Sequence, residues 1–487
     1  MRGIGFVLLL VACLGCAEPE TAVEGQLLAA HVREDFHALY DGLKEAHYDL
    51  DYHTSFDQLD RRFDELLGEI DGPMSVFDAG VLFQRFVSQV GLGHTRVAFP
   101  VQEWSGYLEG GGKILPLFVR RIDGKVYVRE DMSGLAAVTA GDQLLEVDGV
   151  PIDSLLARLS EHVSADSPRM MDAIFEAQFP IVLWIEQGER ESYALTLRRQ
   201  DGSEHTITMA TRAFRGEAAE QAVDEAPEAA QFIPDGMTRE FRMLDDGIAY
   251  LKPGPFMNMG AEDVADEYDD TEFGRFIDEA FATFLEQQAT RLLIDMRGIP
   301  GGDNSFSDLM VAWFAERPFR FAPEYKIRVS PQTTASNAAR LEGADAGSAS
   351  RLMAELFDGA EDGDVVSLEI PLVQPRDGAR FEGEVFVLID RHSYSNTAIT
   401  AAMIQDYGFG TIIGETTSDV GSGFGGVERF TLPHSDKTVE YSKSYFVRPS
   451  GRAEIHSVEP DIFVEMPLLP GESDVVLEKA LALIPSR

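Results

Sequence analysis

Leu388-Ile389-Asp390-Arg391-His392-Ser393-Tyr394-Ser395-Asn396-Thr397-Ala398 follows directly on the apolar run from Val385 to Ile389. That run shows no polar alternation, so it reads as a strand buried on both faces, the habit of parallel sheets. A helix is predicted from about Asn396, which puts Ser395 at a strand-to-helix junction. Free amide groups and the helix dipole favour negative charge there. A serine in this place is ordinarily an N-cap. A second junction has the same form. Leu292-Leu293-Ile294-Asp295 is another continuous apolar strand, and Met296-Arg297-Gly298-Ile299-Pro300-Gly301-Gly302 turns away from it. A Gly-Gly turn is usually only tight, but without Cβ atoms its N–H groups can approach a neighbour closely.

Around these two junctions strands and helices alternate. Gly247 to Leu251 reads as a strand, and Phe273, Phe276, Ile277, Ala280, Phe281, Phe284 and Leu285 lie on one helical face. Residues 241–487 therefore read as an α/β domain. Residues 213–240 are Ala/Glu-rich with few large apolar side chains and read as a linker. Residues 105–212 read as β-rich. Lys125 to Val128 and Tyr193 to Leu197 alternate as strands, and Gln200-Asp201-Gly202 marks a hairpin into Thr206 to Met209. Residues 27–100 are helical in pattern, with Phe36, Leu39, Tyr40 and Leu43 at helical spacing and a further helix from Ser75 to Val90.

The first 16 residues read as a targeting segment, with Arg2 before a short apolar stretch from Ile4 to Leu14. Leu10-Val11-Ala12-Cys13 and Cys13-Leu14-Gly15-Cys16 both resemble a bacterial lipobox, and Cys16 leaves the more usual signal length. An ordinary secretory signal with incidental cysteines is the alternative. The expected location is outside the cytoplasm, in the bacterial cell envelope, with a lipid on Cys16 as the membrane anchor. Cys13 and Cys16 are the only cysteines, which excludes a disulfide scaffold, a Cys-rich zinc site and a Cys nucleophile. The 487 residues carry a formal net charge of −42. Phosphate backbones would be repelled, so no nucleic-acid partner is expected. Gly421-Ser422-Gly423-Phe424-Gly425-Gly426 lacks the helix and the lysine of a phosphate loop and reads as a mobile loop. With no His-Glu-x-x-His or similar pattern, neither metal nor cofactor is expected.

The order of these elements resembles the tail-specific (C-terminal processing) serine peptidase family. Its Asp-x-Arg-x-Asn-x-Gly-Gly is matched from Asp295 to Gly302, with Ile299 in place of Asn. Its nucleophile at a helix start is matched by Ser395. Its Gly-Glu-x-Thr is matched by Gly414-Glu415-Thr416-Thr417, and its Gly-Val-x-Pro-Asp by Ser457-Val458-Glu459-Pro460-Asp461. Ala140-Gly141-Asp142-Gln143-Leu144-Leu145-Glu146-Val147-Asp148-Gly149 resembles the PDZ signature. The resemblance implies a crotonase-like α/β spiral core carrying an N-terminal helical domain and a PDZ-like β-rich domain, and endopeptidase activity on peptides or proteins. A PDZ domain clamps an extended peptide against a sheet edge.

One branch of the family uses a Ser–Lys dyad, but Val420 stands where that lysine would be. The other branch, resembling the Tricorn core, takes a histidine base from the helical domain, oriented by a Ser and a Glu. Gly93-His94-Thr95 matches its motif, with Gly93 where the orienting Ser would stand. The resemblance thus implies Ser395 as nucleophile, His94 as base and Glu454 as its orienting partner. The oxyanion hole falls to Asn396 together with Gly301 or Gly302. His392 is close to Ser395 in sequence but is expected to point elsewhere. The other reading is a catalytically inert protein that keeps the fold and holds peptides or small ligands. Nothing in the sequence speaks to oligomeric state.

Overall fold

The structure, a computed structural model, describes residues 25–213, 235–261, 266–341, 348–469, 471 and 473–484. The segment with Cys13 and Cys16, and residues 214–234 of the expected linker, lie outside the described residues.

The α/β expectation for the last part of the chain is realised as a six-stranded sheet. Its order is Glu240–Met243, Ile248–Lys252, Arg291–Asp295, Glu384–Ile389, Thr411–Gly414, Ile462–Phe463. All neighbours are parallel except the first pair. Alternate side chains of the apolar strands enter two different cores. Leu292, Ile294, Val387 and Ile389 pack under the helices Thr271–Glu286 and Asn396–Tyr407. Leu293, Phe386, Leu388 and Ile413 pack under the C-terminal helix Val475–Leu483. Burial on both faces explains why these strands lack polar alternation. The junctions after Asp295 and Ile389 lie side by side, because their strands are neighbours in register from Arg291↔Glu384 to Asp295↔Leu388. Clefts at the carboxyl ends of adjacent parallel strands are where open α/β sheets place ligands.

A second sheet is built on the long hairpin Val420–Thr431 and Thr438–Val447. The glycine-rich stretch from Gly421 to Gly426 is inside the first of these strands and almost wholly buried, which corrects the expectation of a mobile loop. Its glycines permit close packing. A Cβ on Gly421 would meet Ala402 at 3.2 Å, and one on Gly426 would lie 2.3 Å from the Tyr325 hydroxyl.

The helical unit does not close its core alone. Phe36, Leu39, Phe83 and Phe86 share a cluster with Phe424, Leu432, Val439 and Tyr441 of that hairpin. The short strand Arg96–Val97 then pairs with Thr438–Val447. The chain leaving the helical unit is thereby pinned to the α/β part immediately after His94.

The middle unit has the predicted strands, Lys125–Asp131, Ser192–Arg198 and Glu204–Ala210, with Gln143–Val147 between them in the sheet. The β-rich reading missed a 20-residue helix, Pro168–Gln187. Its Phe175, Phe179, Val182 and Leu183 enter the core of that unit at helical spacing.

Candidate active site

Ser395 is the N-cap of helix Asn396–Tyr407, with φ +55° and ψ −126°. A non-glycine residue held there stores backbone strain, a frequent feature of reactive turns. The surroundings over-determine the conformation. Ser395 N–H donates to Asp419 Oδ2 at 2.6 Å, Tyr394 N–H donates to Ile299 O at 3.0 Å, and Ser393 Oγ donates to Met296 O at 2.9 Å. The Ser395 turn is thus stitched to the Gly-Gly turn.

Asp295, Arg297 and Glu415 brace these two turns, and Asp461 secures the far end of the helix Asn396–Tyr407. Arg297 grips Asp295 in a forked pair, at 2.9 and 2.6 Å, and reaches Asp474 at the cap of the C-terminal helix. Glu415 receives Arg391 at 2.9 Å on each oxygen. Asp461 accepts from Ile412 N–H and from Gln405. Such charge-assisted, forked pairs fix geometry as well as contributing energy.

Gly301 lies against the serine. A Cβ there would meet Ser395 Cβ at 2.6 Å and Asn396 N at 3.1 Å. Gly302 faces the other way: a Cβ on it would strike Phe256 O at 2.0 Å. The Asn396 side chain donates to Asp303 O and Ser307 Oγ. Its backbone N–H, first in the helix, has no partner among the described residues.

His94 reaches the serine from the helical unit, with Nε2 3.2 Å from Ser395 Oγ. Its ring stacks on that of Tyr394, with centroids 4.9 Å apart and planes 13° from parallel. Thr95 anchors the turn through a 2.9 Å hydrogen bond to buried His47. Burial pushes the His94 imidazole down from the usual value to about 4, against the opposing pull of Asp166. The ring is therefore neutral at pH 7 and free to accept a proton.

Two carboxylates that the sequence reading did not single out complete the cluster. Asp419 Oδ2 lies 3.8 Å from His94 Nε2, and Asp166 Oδ2 accepts Gly93 N–H at 2.8 Å. Burial raises both, Asp419 to about 6 and Asp166 to about 6, the latter helped by the Asp419 charge. Among the described residues, His94, Asp166 and Asp419 are the group whose donor atoms are close enough to hold a metal ion. Each carboxylate already accepts a backbone N–H. No sequence signal marks either aspartate: Asp166 stands in a Ser-rich loop, and Asp419 follows the Gly-Glu-Thr-Thr segment by two residues.

Glu454 is not brought to His94, a correction to its expected place. It is exposed on the segment before the strand His456–Ser457, and lines a separate polar depression with Gln405, Asp406 and Arg448. The space at position 93 is also spoken for. A Cβ there would lie 2.7 Å from Asp166 Oδ2 and 2.6 Å from Met170 Sδ, so these two side chains leave no room for a larger residue. His392 turns away toward Glu176, 3.7 Å off. Val420 is buried in its strand, and no lysine contacts Ser395 among the described residues.

A cavity of about 780 Å³ opens beside Gly93 and Tyr394, between the helical unit, the helix Pro168–Gln187 and the α/β part. Val81, Val97, Phe99, Met170, Ile174 and Val182 make its wall mainly apolar.

Residues 249–464 match the model of peptidase family S41. No curated protein matches the chain. Three solved structures of CPAF share its fold. A serine-to-alanine variant gives a TM-score of 0.61 at 16% identity, covering 90% of this chain and 93% of that one. Mature CPAF complexed with lactacystin gives 0.60 at 17%, covering 89% and 94%. Mature CPAF gives 0.58 at 18%, covering 89% and 92%.

Proposed function

We propose that the chain is a serine endopeptidase in which Ser395 is the nucleophile and His94 the base, on a crotonase-like core of the Tricorn-like branch. The observation that carries this reading is the 3.2 Å approach of His94 Nε2 to a strained Ser395 Oγ at the head of a helix. In this mechanism Ser395 Oγ attacks the scissile carbonyl carbon while its proton passes to His94 Nε2. The oxyanion is held by Asn396 N–H and the amide of Gly301, which lies against the serine, whereas Gly302 faces Phe256. Donors aimed at developing charge are worth about 10²–10³ in kcat apiece. His94 then protonates the leaving amine, and water cleaves the acyl-enzyme by the same path reversed.

The apolar cavity beside the site supports substrates that present apolar side chains, as unfolded or exposed protein segments do. The middle unit takes the role of a PDZ-like module that receives an extended chain. The protein would be exported and held at the bacterial envelope by a lipid on Cys16.

A fluorophosphonate probe followed by peptide mass spectrometry tests the reading. Labelling at Ser395, lost in Ser395→Ala, is the expected result. A folded wild-type protein left unlabelled would instead support the inert peptide-binding alternative.

A further inference from the structure

The helix Pro168–Gln187 is tied to the active site just before its first turn and again at its middle. Before its first turn, Glu161 receives Arg62 at 2.7 Å and Arg85 at 3.3 Å from the helical unit. Ser164 Oγ accepts from Gln84 Nε2 at 3.1 Å, and Asp166 accepts Gly93 N–H. Further along, buried Glu176 receives Arg391 at 3.4 Å and faces His392 at 3.7 Å, both in the turn that carries Ser395. The segment bearing Asp166 is therefore docked on the units that supply the histidine and the serine.

Asp166 is half-buried beside that histidine. One oxygen each of Asp166 and Asp419 and a ring nitrogen of His94 lie within 4.8 Å of one another. The two carboxylates do different work. Asp419 spends its oxygens on the N–H groups of Ser395 and Val420, so it holds the nucleophile's backbone. Asp166 holds the backbone of Gly93, the residue before His94, and presents negative charge to the imidazole. Glu454, which the family pattern would put in this role, is elsewhere.

We propose that Asp166, delivered by the middle unit, is the residue that positions His94 and stabilises its protonated form. This rests on the Ser395–His94 reading. The site is then assembled from three units, Ser395 from the α/β part, His94 from the helical unit and Asp166 from the middle one. When Ser395 gives its proton to Nε2, the ring becomes a buried cation, and an adjacent carboxylate is what makes that charge tolerable. The other groups facing the ring are Asp419, Tyr394, Arg96 and Glu440. Arg96 and Glu440 bind each other at 2.6 Å, so their charges largely cancel at the ring.

The test is Asp166→Asn in the full chain. Asparagine keeps an oxygen for Gly93 N–H and loses the charge. The expected result is a fall of about 10²–10⁴ in kcat with KM changed by less than about 3-fold, and an equal slowing of fluorophosphonate labelling. Asp166→Glu, which restores charge on a longer arm, should recover part of the loss.

A readout independent of turnover is the NMR titration of the His94 ring. Losing the facing charge must move its titration to lower pH, whereas a merely structural role would leave it in place. An Asp166→Asn protein with wild-type kcat, or with an unmoved His94 titration, overturns the proposal. If wild type itself neither cleaves nor labels, the peptidase reading fails, and the His94 titration still decides whether Asp166 governs the ring.

Discussion

Gly301→Ala is the sharpest probe of how the two turns cooperate. The added Cβ would lie 2.6 Å from Ser395 Cβ and 2.8 Å from Tyr394 O. Neither neighbour can swing aside, because both belong to a turn pinned by Asp419 and by Ile299 O. Reaching an ordinary contact of 3.4 Å means parting the turns by roughly 0.8 Å, and a misplacement of about 1 Å at reacting groups costs about 10² in rate. If the displaced amide also ceases to meet the oxyanion, the loss approaches about 10³. Gly301 further sits at φ +104°, where alanine costs about 1–2 kcal/mol of stability. The expected outcome is a kcat lowered about 10²–10³-fold, KM nearly unchanged and a modest fall in Tm. The assay is fluorogenic peptide hydrolysis, corrected for folded protein by the melting curve. Gly378→Ala is the control: its φ is +87° with nothing within 4 Å of the new Cβ, so it carries the backbone cost and no crowding. A Gly301→Ala enzyme that turns over like the Gly378→Ala control would refute the claim that this turn faces the reacting carbonyl.

Ser395→Ala and His94→Ala should each remove about 10⁴–10⁶ of kcat, and the double variant little more, because the pair acts as a unit; additive losses would mean the two act separately. With His94 held down near 4 and the two aspartates raised to about 6, kcat/KM should climb between about pH 4 and 6 and be flat above 7. The sign follows from a base that works neutral and a carboxylate that works ionised; a limb rising near pH 8 to 9 would point to a lysine instead. Cys16→Ser combined with Cys13→Ser should move the protein from the membrane pellet to the soluble fraction, since each buried CH₂ of a lipid contributes about 0.8 kcal/mol; unchanged partitioning would mean another anchor.

The parts of this molecule that could be read in advance are those whose physics is local. Continuous apolar runs gave the parallel strands, the hairpin at Gln200-Asp201-Gly202 appeared where its turn residues stand, and Ser395 heads the helix expected from Asn396. Two misreadings were also local in origin. The stretch Gly421 to Gly426 reads as a loop from its own residues; here its glycines serve close approach inside a sheet, a fact that belongs to Ala402, Tyr325 and Phe446. The helix Pro168–Gln187 was hidden among strands, with Pro180 inside it.

The chemistry divides along the same line. Of the motif residues, Asp295, Arg297 and Glu415 are committed to ion pairs that fix the two turns, and Asp461 holds the far end of the helix that Ser395 heads. They say where a site is, because turns so tightly braced are made for a group that must not move. The carboxylates that do face His94 carry no such pattern. Asp166 meets Gly93 across 73 positions of chain, and only the docking of the middle unit on both others brings it there. A sequence motif records the wall of a site that one segment can build by itself. On the proposed mechanism, the groups that tune the proton transfer come from the segments that fold over it, which would make the state of the middle unit, as well as the Ser–His pair, a determinant of whether the site is complete.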